Sequence, residues 1–147
     1  MATTTLTLGI TSDISSNTLD ISESMTVTTD GSTGVTETSG VARKEIGTGN
    51  TVLIDISAEP VSLIGKKAVL YIKNLDGTFT DYVDLKIGNP PTADQHAEVL
   101  RIYGGQFAVL PLVNSTDIDA DGGIDGDVVV TAASSNTLIE YALFYEA

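Results

Sequence analysis

Residues 138–145 (LIEYALFY) are apolar in both registers of an extended strand. Leu138, Ala142 and Phe144 fall on one side, Ile139, Tyr141, Leu143 and Tyr145 on the other, and only Glu140 is charged. A strand with one face in water alternates apolar with polar, because successive side chains point to opposite faces. This one needs cover on both faces, by a core on one side and by a further layer or subunit on the other. Its position at the end of the chain, where segments fray unless docked, adds the expectation that it is tied down.

The rest of the chain alternates more cleanly. Residues 3–10 set Leu6, Leu8 and Ile10 against Thr5, Thr7 and Gly9, and residues 19–27 place Leu19, Ile21, Glu23, Met25 and Val27 in one register. Two half-buried strands are predicted there, within an otherwise polar stretch 1–40. Asp30-Gly31 and residues 32–40 have the chemistry of turns and loops. This opening reads as exposed strand surface; the alternative is an arm that orders on a neighbouring subunit.

Residues 41–46 (VARKEI) and 51–56 (TVLIDI) predict strands around Gly47-Thr48-Gly49-Asn50, and residues 67–74 and 80–87 predict a hairpin across Asp76-Gly77. The adjacent prolines in 88–96 cannot donate ladder bonds, so a loop is predicted. Residues 99–103, Gly104-Gly105 and residues 106–113 read as strand, turn, strand, with Pro111 marking an edge or the end of pairing. Residues 127–132 (DVVVTA) supply one more strand before the last. About eight to ten short, mostly antiparallel strands predict an all-β, jelly-roll-like β-sandwich. It is expected to be a single domain over residues 1–147, with 1–40 as a polar strand or arm region.

Composition narrows the function. With 20 acidic against 7 basic residues the formal charge is −13, which argues against nucleic acid or an anionic membrane surface as a partner. No run of about 20 apolar residues is present to span a bilayer as a helix. The opening MATTTLTLGI lacks the basic start and apolar core of a signal peptide, so use without export is expected. Absence of Cys excludes disulfides and thiolate metal sites, and absence of Trp weakens a sugar-binding reading.

One segment has specific chemistry. In residues 114–128 (NSTDIDADGGIDGDV), Asp117, Asp119 and Asp121 before Gly122 match the start of a calcium loop, and Asp125 falls at its ninth position. Calcium takes six to eight hard oxygens, which such carboxylates supply. The twelfth position is Val128 rather than a bidentate glutamate, so a solvated acidic loop is the favoured reading and Ca2+ the alternative. His96 is the only histidine, nothing resembles a nucleophile elbow, and no enzymatic activity is expected. Glu140 must be paired or neutral if buried, with Arg43, Lys73 and Arg101 as candidate partners; the bland alternative is an edge carboxylate in solvent.

Laid out this way, residues 41–145 resemble small virion structural proteins of tailed bacteriophages, especially those of cyanophages and other marine phages. The resemblance is carried by Gly-Val-Ala-Arg-Lys at 40–44, VLYIKNL at 69–75, GQFAVLPL at 105–112 and the closing LIEYALF at 138–144. It implies a non-enzymatic β-sandwich that decorates or cements the outside of a capsid, often as a homotrimer, with the major capsid protein as its partner. Leu138, Ile139, Tyr141, Leu143, Tyr145 and Phe107 are the residues expected near a subunit or capsid interface. The competing class is a tail or fibre module that binds a host glycan or receptor, which should display an exposed aromatic cluster; Tyr71, Tyr82 and Tyr103 are its candidates. A free enzyme ranks third.

Overall fold

A computed structural model describes residues 4–12, 19–27, 37–55, 67–87, 97–113, 127–134 and 136–145. They form ten strands among the described residues: β1 (Thr4–Ser12), β2 (Leu19–Val27), β3 (Glu37–Ile46), β4 (Thr51–Ile54), β5 (Lys67–Asn74), β6 (Val83–Ile87), β7 (Ala97–Ile102), β8 (Phe107–Val113), β9 (Val128–Ala132) and β10 (Thr137–Tyr145). Every pairing is antiparallel. One four-stranded sheet runs β3-β10-β5-β8, a second runs β4-β9-β6-β7, and β1-β2 stand as a separate hairpin.

The neighbours β3 and β10, β4 and β9, β5 and β8, β6 and β7 trace one long antiparallel ribbon that doubles back on itself. Rolled up so that β10 meets β5 and β9 meets β6, that ribbon is a jelly roll. The expected all-β sandwich is therefore the observed fold.

The core lies between the two sheets and follows the period-two pattern. Leu70 and Ile72 of β5, Val83 and Leu85 of β6, Val128 and Val130 of β9, and Ile139 and Leu143 of β10 are buried in it. Each fully buried aliphatic side chain contributes roughly 1.5–3 kcal/mol. β10 is tied down as expected, a central strand flanked by β3 and β5. Pro111 sits on β8, an edge strand of its sheet, where a missing donor is tolerated.

Two local expectations are corrected. Residues 67–74 and 80–87 do not pair as a hairpin: β5 lies in one sheet and β6 in the other. Turns 47–50 and 103–106 likewise carry the chain from sheet to sheet. Alternation states which side chains face the core, and a strand on either sheet of a sandwich satisfies it equally. The stretch 32–40, read as loop, contains the start of β3 at Glu37. Its Gly40 has a φ of 69° where the β3–β10 register slips, the left-handed conformation a bulge requires and glycine adopts freely. The Ser39 hydroxyl fills the irregularity by accepting a 2.9 Å hydrogen bond from the Leu143 amide.

Candidate functional site

Two surface features stand apart from ordinary sandwich surface. The first is an aromatic array where the turns after β5 and β7 meet. The Asp81 amide donates to the Thr78 carbonyl at 3.0 Å and the Gln106 amide to the Tyr103 carbonyl at 2.9 Å, closing the two turns. Gly105, with φ 79°, takes the third position of its turn, where positive φ is needed. Gly104 permits close approach: a Cβ there would stand 2.3 Å from the Thr78 carbonyl oxygen.

Asn74 locks the same corner from beneath. It is fully buried, and its Nδ2 donates to the Asp81 carbonyl at 2.7 Å and the Ile102 carbonyl at 3.3 Å, while its Oδ1 accepts from the Asp76 amide at 3.0 Å. A buried amide with both ends engaged is the arrangement that satisfies its polarity.

On this frame Phe79 stacks on Tyr103, centroids 4.2 Å apart and planes within 4°, and Tyr103 meets Tyr82 edge-on at 6.0 Å. The Arg101 guanidinium lies 3.8 Å over the Tyr82 ring and grips Asp84 with two bonds of 2.7 and 2.8 Å. That grip pushes the Arg101 pKa above its ordinary value, mainly through the hydrogen bond to Asp84, with burial acting the other way. Phe79 is 65% exposed, so one side of the stack is open to solvent. Phe79 was absent from the candidates drawn from the sequence. The available signal was a large aromatic two residues after Asp-Gly, facing a turn that begins Tyr-Gly-Gly.

The second feature is the outer face of the β3-β10-β5-β8 sheet. Strand register lines up Val41, Ala142, Tyr71 and Val109 in one row across all four strands, and Phe144, Val69 and Pro111 in the next. A third row holds Arg43, Glu140, Lys73 and Phe107. Val41 is 69% and Phe107 58% exposed, whereas Ala142 is buried. Glu140 accepts two 3.0 Å bonds from Arg43 through a single carboxylate oxygen, and the Tyr71 hydroxyl donates to the other oxygen at 3.4 Å. Arg43 is thus the partner found among the three candidates, while Arg101 is committed to Asp84. Burial, then the charge of Glu140 and the hydrogen bond to it, raise the Tyr71 pKa above its ordinary value.

The expected interface residues divide between the two faces. Ile139, Leu143 and Tyr145 are buried in the core and Tyr141 packs against it, which leaves Leu138 and Phe107 within reach of a partner. Their inward direction follows from β10 being a central strand whose odd-numbered positions face the opposite sheet. Asp117, Asp119, Asp121, Asp125 and His96 lie outside the described residues. Among the described residues no group of three or more His, Asp or Glu gathers as a metal site would, and no helix is long and apolar enough to cross a membrane.

No family model matches the chain, and neither a curated protein nor a solved structure is detectably similar to it. The class that fold and surface define is an acidic antiparallel jelly roll with an apolar outer sheet face.

Proposed function

We propose that this protein is a structural virion protein that binds the outside of a phage capsid, with the major capsid protein as partner, and stabilises the head as a homo-oligomer, a trimer in the simplest arrangement. The observation that carries the reading is the outer face formed by Val41, Tyr71, Val109, Val69 and Phe144. It spans all four strands of the sheet, an extent that suits a macromolecular neighbour better than a small substrate. Jelly rolls serve in capsids as well as in lectins and cupins, so the fold permits this role without selecting it. A charge of −13 suits the exterior of a particle better than a lumen packed with nucleic acid. Many small contacts repeated by capsid symmetry give avidity without one strong site.

The test is co-sedimentation of the purified chain with empty heads. Binding that saturates at a symmetric stoichiometry, and that weakens when residues 1–10 are deleted while the sandwich stays folded, supports the reading. A folded chain that stays in the supernatant at every concentration contradicts it.

A second reading is favoured by one specific observation, the open Phe79–Tyr103 stack. Sugar rings present C–H faces that pack on such platforms, so a tail or fibre module that binds a host glycan would use this corner. Glycan-array binding abolished by Phe79→Ala would support it. No bound glycan, together with capsid binding that Phe79→Ala leaves intact, would return the choice to the first reading.

A further inference from the structure

β8 is an edge strand, and the register of its pairing with β5 fixes which of its main-chain groups have partners. The Asn74 amide donates to the Gln106 carbonyl at 3.0 Å, which makes these two a hydrogen-bonded pair at the start of the β5–β8 ladder. Bonded and non-bonded pairs alternate along an antiparallel ladder. Ala108 with Ile72, Leu110 with Leu70 and Leu112 with Ala68 are therefore bonded pairs, while Phe107 with Lys73, Val109 with Tyr71 and Pro111 with Val69 are not. The proline fits that phase, because it stands where no amide is needed by β5. The amides and carbonyls of Phe107 and Val109 consequently point away from the sheet, and among the described residues no strand pairs with them.

A groove of about 510 Å³ runs past these groups, between Phe107, Ala108 and Val109 on one side and Leu8 and Glu23 of the β1-β2 hairpin on the other. Ala108 packs against the core, whereas Phe107 and Val109 alternate with it toward the outer face. A groove that touches all three follows the edge of the strand rather than one of its faces. Its volume lies within the roughly 300–1,000 Å³ of ligand clefts. Leu8 is 46% exposed, and Glu23 is the charged residue of the lining.

We infer that the β8 edge takes an extended segment of another protein as an added strand, with an apolar side chain of that segment against Leu8 and a Lys or Arg against Glu23. Main-chain hydrogen bonds to Phe107 and Val109 hold the segment, and the hairpin wall selects its side chains. Pro111 limits the site. Proline is one of the devices that blunt an open sheet edge, and here it removes the next outward amide along β8, so pairing is confined to the stretch beside the hairpin. Glu23 calls for the basic residue, and a chain charge of −13 disfavours a second copy as the source of the segment. The contact uses the strand edge and not the side-chain face assigned to the capsid, so its failure is separable from failure of the proposed function.

The probe is a short synthetic peptide of alternating Val and Thr with one central Lys, N-methylated at every second amide so that a single edge is free to pair. It is titrated into the full chain, and amide hydrogen exchange is followed by NMR. In the free chain the Ala108 and Leu110 amides should be protected and those of Phe107 and Val109 should exchange fast; saturating peptide should slow the second pair roughly tenfold or more. Val109→Pro deletes one outward amide as Pro111 already does, and should weaken binding about tenfold, whereas Val109→Ala keeps the amide and should lose less. Glu23→Lys should weaken binding about threefold, and a peptide with Glu in place of its Lys should restore it. If Val109→Pro does not fold, a peptide N-methylated at every amide decides the matter, since it should not bind. The inference is overturned if the peptide does not bind, if the fully methylated peptide binds equally well, or if Val109→Ala loses as much as Val109→Pro. Protection of the Phe107 and Val109 amides in the free chain overturns it too, because the edge is then already paired.

Discussion

Replacing Asn74 tests whether the corner carrying Phe79 and Tyr103 is built as described. The side chain makes three hydrogen bonds, to the carbonyls of Asp81 and Ile102 and from the amide of Asp76. At about 1 kcal/mol net for each bond, Asn74→Ala should cost roughly 3 kcal/mol. That is a large share of the roughly 5–15 kcal/mol a domain has in total. For a chain of this size it corresponds to a fall in Tm of about 6–12 °C. Asn74→Asp is the sharper variant. It keeps an acceptor for the Asp76 amide but turns a carboxylate oxygen toward two carbonyl oxygens, so it should be at least as damaging as alanine despite its nearly identical shape. Stability is read by urea denaturation followed by far-UV circular dichroism, and the Phe79–Tyr103 stack by the near-UV signal, which should weaken in both variants. If Asn74→Asp melts with the wild type, or both variants lose less than about 0.5 kcal/mol, the buried-amide account of the corner is wrong.

Three further outcomes are expected. Leu143→Asp should leave the chain unfolded by circular dichroism, because an unpaired charge in the core adds several kcal/mol to the loss of a buried leucine; a cooperative melt would show that β10 is not a core strand. Tyr71 has its pKa raised in the folded state, so the stability it contributes is complete below the ordinary tyrosine value of about 10 and is lost as pH rises through the folded value. Absorbance titration at alkaline pH should show a late-ionising tyrosine that disappears in Tyr71→Phe, and an unchanged curve would show that burial and the neighbouring Glu140 do not hold Tyr71 protonated. The solvated reading of Asp117, Asp119, Asp121 and Asp125 predicts that chelator leaves Tm unchanged, whereas a folded-state calcium site would add about 2.7 kcal/mol at a hundredfold excess over its dissociation constant.

What could be read from the sequence was the identity of the strands and the direction of their side chains. Val83 and Leu85 face inward and Asp84 outward as their alternation requires, and of the two faces of residues 138–145 expected to need cover, the inner one is buried in the core while Leu138, Glu140 and Phe144 on the other are only partly buried. Which strand lies beside which was not legible. Asp76-Gly77 and Gly104-Gly105 have the composition of hairpin turns, yet they sit at corners between sheets, and the long-range pairing of β3 with β10 leaves no local trace. The aromatic corner was missed for the same reason: Phe79 and Tyr103 are far apart in sequence and meet because Gly104 admits the Thr78 carbonyl. Glu140 was recognised as needing a partner, but choosing Arg43 over Arg101 required the register.

The role proposed for this chain is that of an exterior particle protein. The measurement that reaches it most directly is cryo-electron microscopy of heads prepared with and without the chain, followed by heat and osmotic challenge of both preparations. Attachment to the exterior should give added density on the outer surface at symmetry-related positions, sized for an oligomer of jelly rolls, and heads that survive the challenge better when it is present. Identical exteriors and equal survival would contradict it.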